Sequence, residues 1–205
     1  MNTSTTVPAW LSRRLQTLKR TGTLNLIKEI NLDLSCLQLK DISYFIQFIK
    51  TLDLSGTQIK SLANLPRLPR ITNLILDNSL IESCFNFEAV SSITSISLKK
   101  TPLSRVPHYK LSILLAVGSG IVKIDGKMIT PLLLNRFKSY PKYTHDLVNN
   151  GWIVEYPCPD VDKLKEICQQ YHVVIPEEEE VTELRLEEEA EHEEEIVNFD
   201  FDEIA

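Results

Sequence analysis

The sequence predicts an α/β solenoid, a one-dimensional stack of short strand-and-return units. Three observations predict it. One apolar pattern recurs through the middle of the chain: Ile49, Leu52, Leu54, Ile59, then Ile71, Leu74, Leu76, Ile81, then Ile93, Ile96, Leu98, Leu103. An earlier copy is read through Leu32, Leu34, Leu37 and Leu39, so that the anchors Leu32, Leu52, Leu74 and Ile96 step by 20, 22 and 22 residues. Apolar helical segments precede and follow the array, as the open ends of a stack require.

This period and pattern are those of a leucine-rich repeat. The elements follow in order. Residues 8–21 read as a capping helix, with Pro8 in the first turn, Trp10, Leu11, Leu15 and Leu18 near helical spacing and Gly22 as a stop. In each repeat the chain alternates sides as a strand, so the fourth and sixth positions enter the core. The third, fifth and seventh positions then face the concave surface. They are Asn31, Asp33 and Ser35; Thr51, Asp53 and Ser55; Asn73, Ile75 and Asp77; Ser95, Ser97 and Lys99. The ninth position holds Leu37, Thr57, Ser79 and Thr101; three of these hydroxyls can bond the turn backbone in place of an Asn amide. Pro66 and Pro69 exclude a long helix from the return 61–70, leaving turns or a short 3₁₀ piece there and at 83–92.

After the fourth strand come Thr101-Pro-Leu-Ser-Arg-Val-Pro-His-Tyr109, an apolar run Ile113–Val117 and Ile124-Asp-Gly-Lys-Met-Ile-Thr130. With Leu62-Ala-Asn-Leu-Pro66 between strands, this resembles the leucine-rich repeats of the protein-phosphatase-1 regulatory subunit type. The closing segment is similar to the C-terminal cap of that family, an architecture shared by the spliceosomal A-prime protein and the acidic leucine-rich nuclear phosphoproteins. The resemblance implies a cap helix at 107–117 and a last strand at 121–125. Asp125-Gly126 reads as a tight turn.

Residues 131–176 lie beyond the repeat. Pro131–Tyr140 reads as a short helix, Trp152–Tyr156 as a strand, and 160–171 as a helix capped by Asp160 with Leu164, Ile167, Cys168 and Tyr171 on one face. This much apolar surface is expected to fold back on the last repeat. From Glu177 onward fifteen acidic residues face Arg185 alone, a net −14; the whole chain is −6, so residues 1–176 carry +8. A block of this kind reads as a solvated, disordered interaction tail. Its end is different: Phe199 and Phe201, with Ile204, form an apolar motif amid carboxylates.

The reading is therefore a right-handed leucine-rich-repeat solenoid in four parts. These are an N-terminal capping helix (1–23), the repeats and their cap (24–130), an α/β extension packed on the cap (131–176) and the acidic tail (177–205).

No nucleotide-binding glycine motif or nucleophile constellation stands out. Cys158, Cys168 and His172 lack the paired spacing of a structural zinc site, so Cys168 is read as core and no metal or cofactor is expected. The four cysteines are read as reduced thiols, since the N-terminus lacks the build of a signal peptide. No apolar run of about 18 residues argues for a membrane span. Lysines and arginines are scattered, with no series of stacking aromatics, so nucleic acid is expected only indirectly.

The function expected is a non-catalytic protein–protein adaptor, monomeric in isolation and intracellular, in the cytoplasm or nucleus. Its concave contacts are Asn31, Asp33, Thr51, Asp53, Asn73, Ile75, Asp77, Ser97 and Lys99, and its tail motif is a second contact. The alternatives are a ribonucleoprotein component holding an RNA-binding protein, a histone-binding chaperone that works through the tail, and a cytoskeletal or axonemal adaptor.

Overall fold

A computed structural model describes residues 9–29 and 31–176. It is a mixed α/β structure. Its strands form a six-stranded sheet in sequence order: β1 (Thr23–Asn25), β2 (Thr51–Asp53), β3 (Asn73–Ile75), β4 (Ser95–Ser97), β5 (Lys123–Ile124) and β6 (Lys127–Met128). The first five run parallel and β6 turns back antiparallel on β5.

Alternation along each short strand builds the core. Leu24, Leu52, Leu74, Ile96 and Ile124 stack in register, all buried. Leu26, Leu54, Leu76 and Leu98 form a second buried column, and Ile49, Ile71, Ile93 and Ile121 a third. Each side chain buried this fully contributes about 2 kcal/mol of transfer free energy. The columns therefore hold the array together although no strand exceeds three residues.

The register of the first unit differs from the expectation. Leu24, not Leu32, pairs with Leu52, and Asn25 lies opposite Asp53. The first step is 28 residues, from 24 to 52. Leu34–Gln38 is instead a 3₁₀ turn on the return path. Leu34 and Leu37 bury one side of it, and Asp33 caps it by accepting from Ser35 N at 2.9 Å. The leucine spacing at 32–39 suits one apolar face of a tight helix as well as a strand, and only pairing to β2 separates the two. The rest of the return is α2 (Lys40–Ile46), which buries Ile42.

Corresponding turns share a geometry. The eighth position of each unit takes a left-handed conformation: Lys28, Gly56, Asn78 and Lys100 have φ between 56° and 69°. At Gly56 a Cβ would also sit 3.1 Å from Lys28 Cγ, so glycine suits both demands. At the ninth position, Thr57 Oγ1, Ser79 Oγ and Thr101 Oγ1 donate to the carbonyls of Leu54, Leu76 and Leu98 at 2.8, 2.6 and 2.7 Å. All three hydroxyls are buried. With the corrected register the ninth residue of the first unit is Glu29, not Leu37, and its carboxylate meets Arg14.

α1 (Ala9–Thr21) lies over β1 with Leu11, Leu15 and Leu18 buried, and ends where Gly22 N donates to Leu18 O at 2.7 Å. Arg14 reaches Asn25 O as well as Glu29, pinning the helix to the first turn. At the other end α3 (Tyr109–Val117) is buried from Leu111 through Val117. Asp125 and Gly126, with φ of 54° and 79°, form the tight turn that joins β5 to β6.

Beyond the sheet follow α4 (Pro131–Lys138), α5 (Thr144–Asn149) and α6 (Val161–Gln170). Thr130 caps α4 and Asp160 caps α6, the latter accepting from Lys163 N at 2.8 Å. α5 packs on α3 and is tied to the repeats through Asn149. Its amide donates to Ala116 O at 2.9 Å, its side-chain oxygen accepts from Glu88 N at 2.7 Å, and its backbone carbonyl accepts from Asn86 N at 3.0 Å. The strand expected at 152–156 is an extended segment without a ladder. Trp152 and Val154 are buried and Ile153 exposed, so the alternation is real, but the segment pairs with no strand of the sheet.

Candidate functional site

The sheet face opposite the leucine columns carries the polar residues. Strand register aligns them in rows. Thr23, Thr51, Asn73, Ser95 and Lys123 form one; Asn25, Asp53, Ile75 and Ser97 form the next. The ladder continues past the strands, with Lys28 N donating to Ser55 O, Gly56 N to Asp77 O and Asn78 N to Lys99 O, each at 2.8 Å. This brings Ile27, Ser55, Asp77 and Lys99 into a third row.

Local hydrogen bonds orient the carboxylates. Asp53 Oδ1 accepts from Ser55 N at 3.0 Å and Ser55 Oγ at 2.6 Å. Asp77 Oδ1 reaches the next unit, accepting from Ser97 Oγ at 2.7 Å and Lys99 N at 2.8 Å. Asp125 does the same from the closing turn: Oδ1 accepts from Leu98 N at 2.7 Å, and Oδ2 from the Tyr109 hydroxyl at 2.8 Å. Three acidic side chains beside the turns therefore satisfy donors that the sheet leaves over, and Asn25 does so at the first turn, accepting from Ile27 N at 3.1 Å. Asn73 Nδ2 donates to Thr72 Oγ1 at 3.1 Å, which steadies the first row.

Ile75 interrupts this polar surface. It lies between Asp53 and Ser97 in register and is half-buried. Among the expected contacts, Thr51, Asp53, Asn73, Ile75, Asp77, Ser97 and Lys99 share this face. Asn31 and Asp33 do not. They precede the 3₁₀ turn on the return path, and both are exposed there. The Ser35 hydrogen bonds lower the Asp33 carboxyl below the usual carboxylate range. Thr23 and Asn25 take the corresponding places. The signal for them was present, since Thr23-Leu-Asn-Leu26 nearly duplicates Thr51-Leu-Asp-Leu54. The tail residues Phe199, Phe201 and Ile204 lie outside the described residues.

Cys158, Cys168 and His172 do not converge as ligands. Cys168 is buried on α6 with its thiol pushed up by burial, which disfavours the thiolate a metal takes, and His172 is exposed beyond the helix end. No helix among the described residues is long and apolar enough to cross a membrane.

No protein-family profile matches the sequence, and no curated protein matches it. Solved structures similar to this chain include the Chaetomium Mex67:Mtr2 subunits, at 19% identity and a TM-score of 0.39, covering 63% of this chain and 96% of that one. The Drosophila melanogaster SNF/U2A′ complex is also similar, at 22% identity and a TM-score of 0.40, covering 57% of this chain and 79% of that one.

Proposed function

We propose that this chain is a non-catalytic adaptor, a capped leucine-rich-repeat solenoid whose polar sheet face is the concave surface that holds one protein partner. The observation that carries the proposal is Ile75. An apolar side chain left part-exposed at the centre of a hydrogen-bonded polar face gains by being covered, and the surrounding side chains are already held in place. Asp53 on one side, Asn73 and Asp77 along the strand of Ile75 itself, and Ser97 and Lys99 on the other side give that surface a directional charge, acidic at β2 and β3 and basic past β4. Thr51 and Asn25 extend it. This is the anatomy of a modest interface, an apolar centre inside a polar rim.

The test compares affinity purification from the native cell for the wild-type chain and for Ile75→Arg, with thermal unfolding of both. Loss of one stoichiometric partner at an unchanged melting temperature supports the reading. Recovery of every partner by Ile75→Arg, and by Asp53→Lys as a second variant, overturns it.

A further inference from the structure

A cavity of about 170 Å³ opens at the far end of the sheet, between the β5–β6 hairpin and α4. Its floor and lip are apolar: Ile124 closes the bottom, and Met128 and Leu132, 61% and 62% exposed, stand at the entrance. Three cations line it as well, Lys110 from α3, Lys127 from β6 and Arg136 from α4, and among the described residues no acidic one does. Asp125, close by in sequence, already has its carboxylate committed to Leu98 N and the Tyr109 hydroxyl. Arg136 is oriented by the Tyr156 ring, 4.3 Å below its guanidinium carbon, yet its buried Nε has no acceptor among the described residues. A cationic, apolar-floored cavity calls for a ligand with apolar groups and acidic acceptors side by side.

We propose that the occupant is the chain's own C-terminal segment, residues 196–204, docked in cis. Ile196-Val-Asn-Phe199-Asp-Phe201-Asp-Glu-Ile204 offers two aromatic rings at the two-residue spacing of an extended chain, with carboxylates between and after them. The rings suit the Ile124, Met128 and Leu132 surface. Asp200, Asp202 and Glu203 meet Lys110 and Lys127 at the rim. The charge argument also holds at larger scale, since the tail at −14 faces a body at +8. From Pro176 to Ile196 the chain can extend to at most roughly 70 Å. Tethering on that scale gives an effective concentration on the order of 1 mM, enough to fill a site of weak intrinsic affinity. The proposal is independent of any partner on the sheet face.

Hydrogen–deuterium exchange on the full-length chain tests it. Phe199→Ala with Phe201→Ala changes nothing inside the folded body. It is expected to speed exchange in residues 127–134 by roughly threefold or more, while β2–β4 stay unchanged. Lys127→Glu, exposed on the hairpin, is expected to reproduce the effect. Unchanged exchange at 127–134 in both variants overturns the proposal. Protection that rises with protein concentration, together with a dimer by light scattering, also overturns it, because the segment would then come from a second copy.

Discussion

The Tyr109 hydroxyl, at the start of α3, donates to Asp125 Oδ2 at 2.8 Å in the turn between β5 and β6. The other oxygen of the same carboxylate receives Leu98 N from the preceding unit. One acidic side chain thus joins α3, the closing hairpin and the fourth unit, from a residue whose φ of 54° is left-handed.

Alkaline stability follows from this contact. Burial first, and the Asp125 hydrogen bond second, push Tyr109 up to about 12 from an ordinary 10.0. Tyr140 is likewise pushed up to about 12, chiefly by burial. The native state therefore holds these protons more tightly than the unfolded chain. Their contribution is whole below about pH 10 and is lost as pH rises towards 12. Urea unfolding from pH 8 to 12 is expected to show a flat region and then a fall. Tyr109→Phe should lower stability by about 1 kcal/mol at pH 8 and make the fall shallower. An unchanged alkaline slope in that variant would remove Tyr109 from the account.

The register of the first unit makes a sharper prediction. Leu24 is fully buried under β2's Leu52, whereas Leu32 is only partly covered. Leu24→Ala should destabilise by about 2–5 kcal/mol. Leu32→Ala should cost less than half as much. The reverse order in chemical denaturation would restore the pattern in which Leu32 anchors the strand.

Asn149 is expected to act as the latch between the extension and the repeats. Removing its side chain orphans Glu88 N and Ala116 O, both drawn from distant elements. Asn149→Ala should therefore cost about 2–3 kcal/mol. Asn150→Ala, which removes only an exposed bond to Asp146 O within the same turn, should cost less than about 0.5 kcal/mol. Equal effects from the two variants would mean that the Asn149 network contributes nothing beyond local helix structure.

The ninth-position hydroxyls should behave as independent rungs. Ser79→Ala and Thr57→Val each remove one buried bond to a carbonyl that keeps its backbone donor. Each is expected to cost about 1 kcal/mol, and the double variant the sum of the two. A double variant no worse than either single one would show that the rungs are coupled through the stack.

What could be read from residue order is what depends on near neighbours in the chain. Strand alternation placed Leu52, Leu54, Leu74, Leu76, Ile96 and Leu98 inside and Thr51, Asp53, Asn73, Ile75 and Ser97 outside, because successive side chains of an extended segment point to opposite faces. The capping of α6 by Asp160 and the stop at Gly22 were legible for the same reason. The first strand was not. A 20–22-residue step matches the leucines at 32–39 and not Thr23-Leu-Asn-Leu26, whose unit is lengthened by α2. Only pairing to β2 distinguishes the two, and pairing is a tertiary contact. The same holds for α5 and Asn149, whose partners lie 33 and 61 residues away. It holds again for the cavity that gathers Lys110, Lys127 and Arg136 from a helix, a strand and another helix. Sequence by itself determined which side chains are buried along each strand and that the strands repeat. The tertiary structure decided which segment begins the array and which distant groups meet, because backbone partners and converging charges belong to no local pattern.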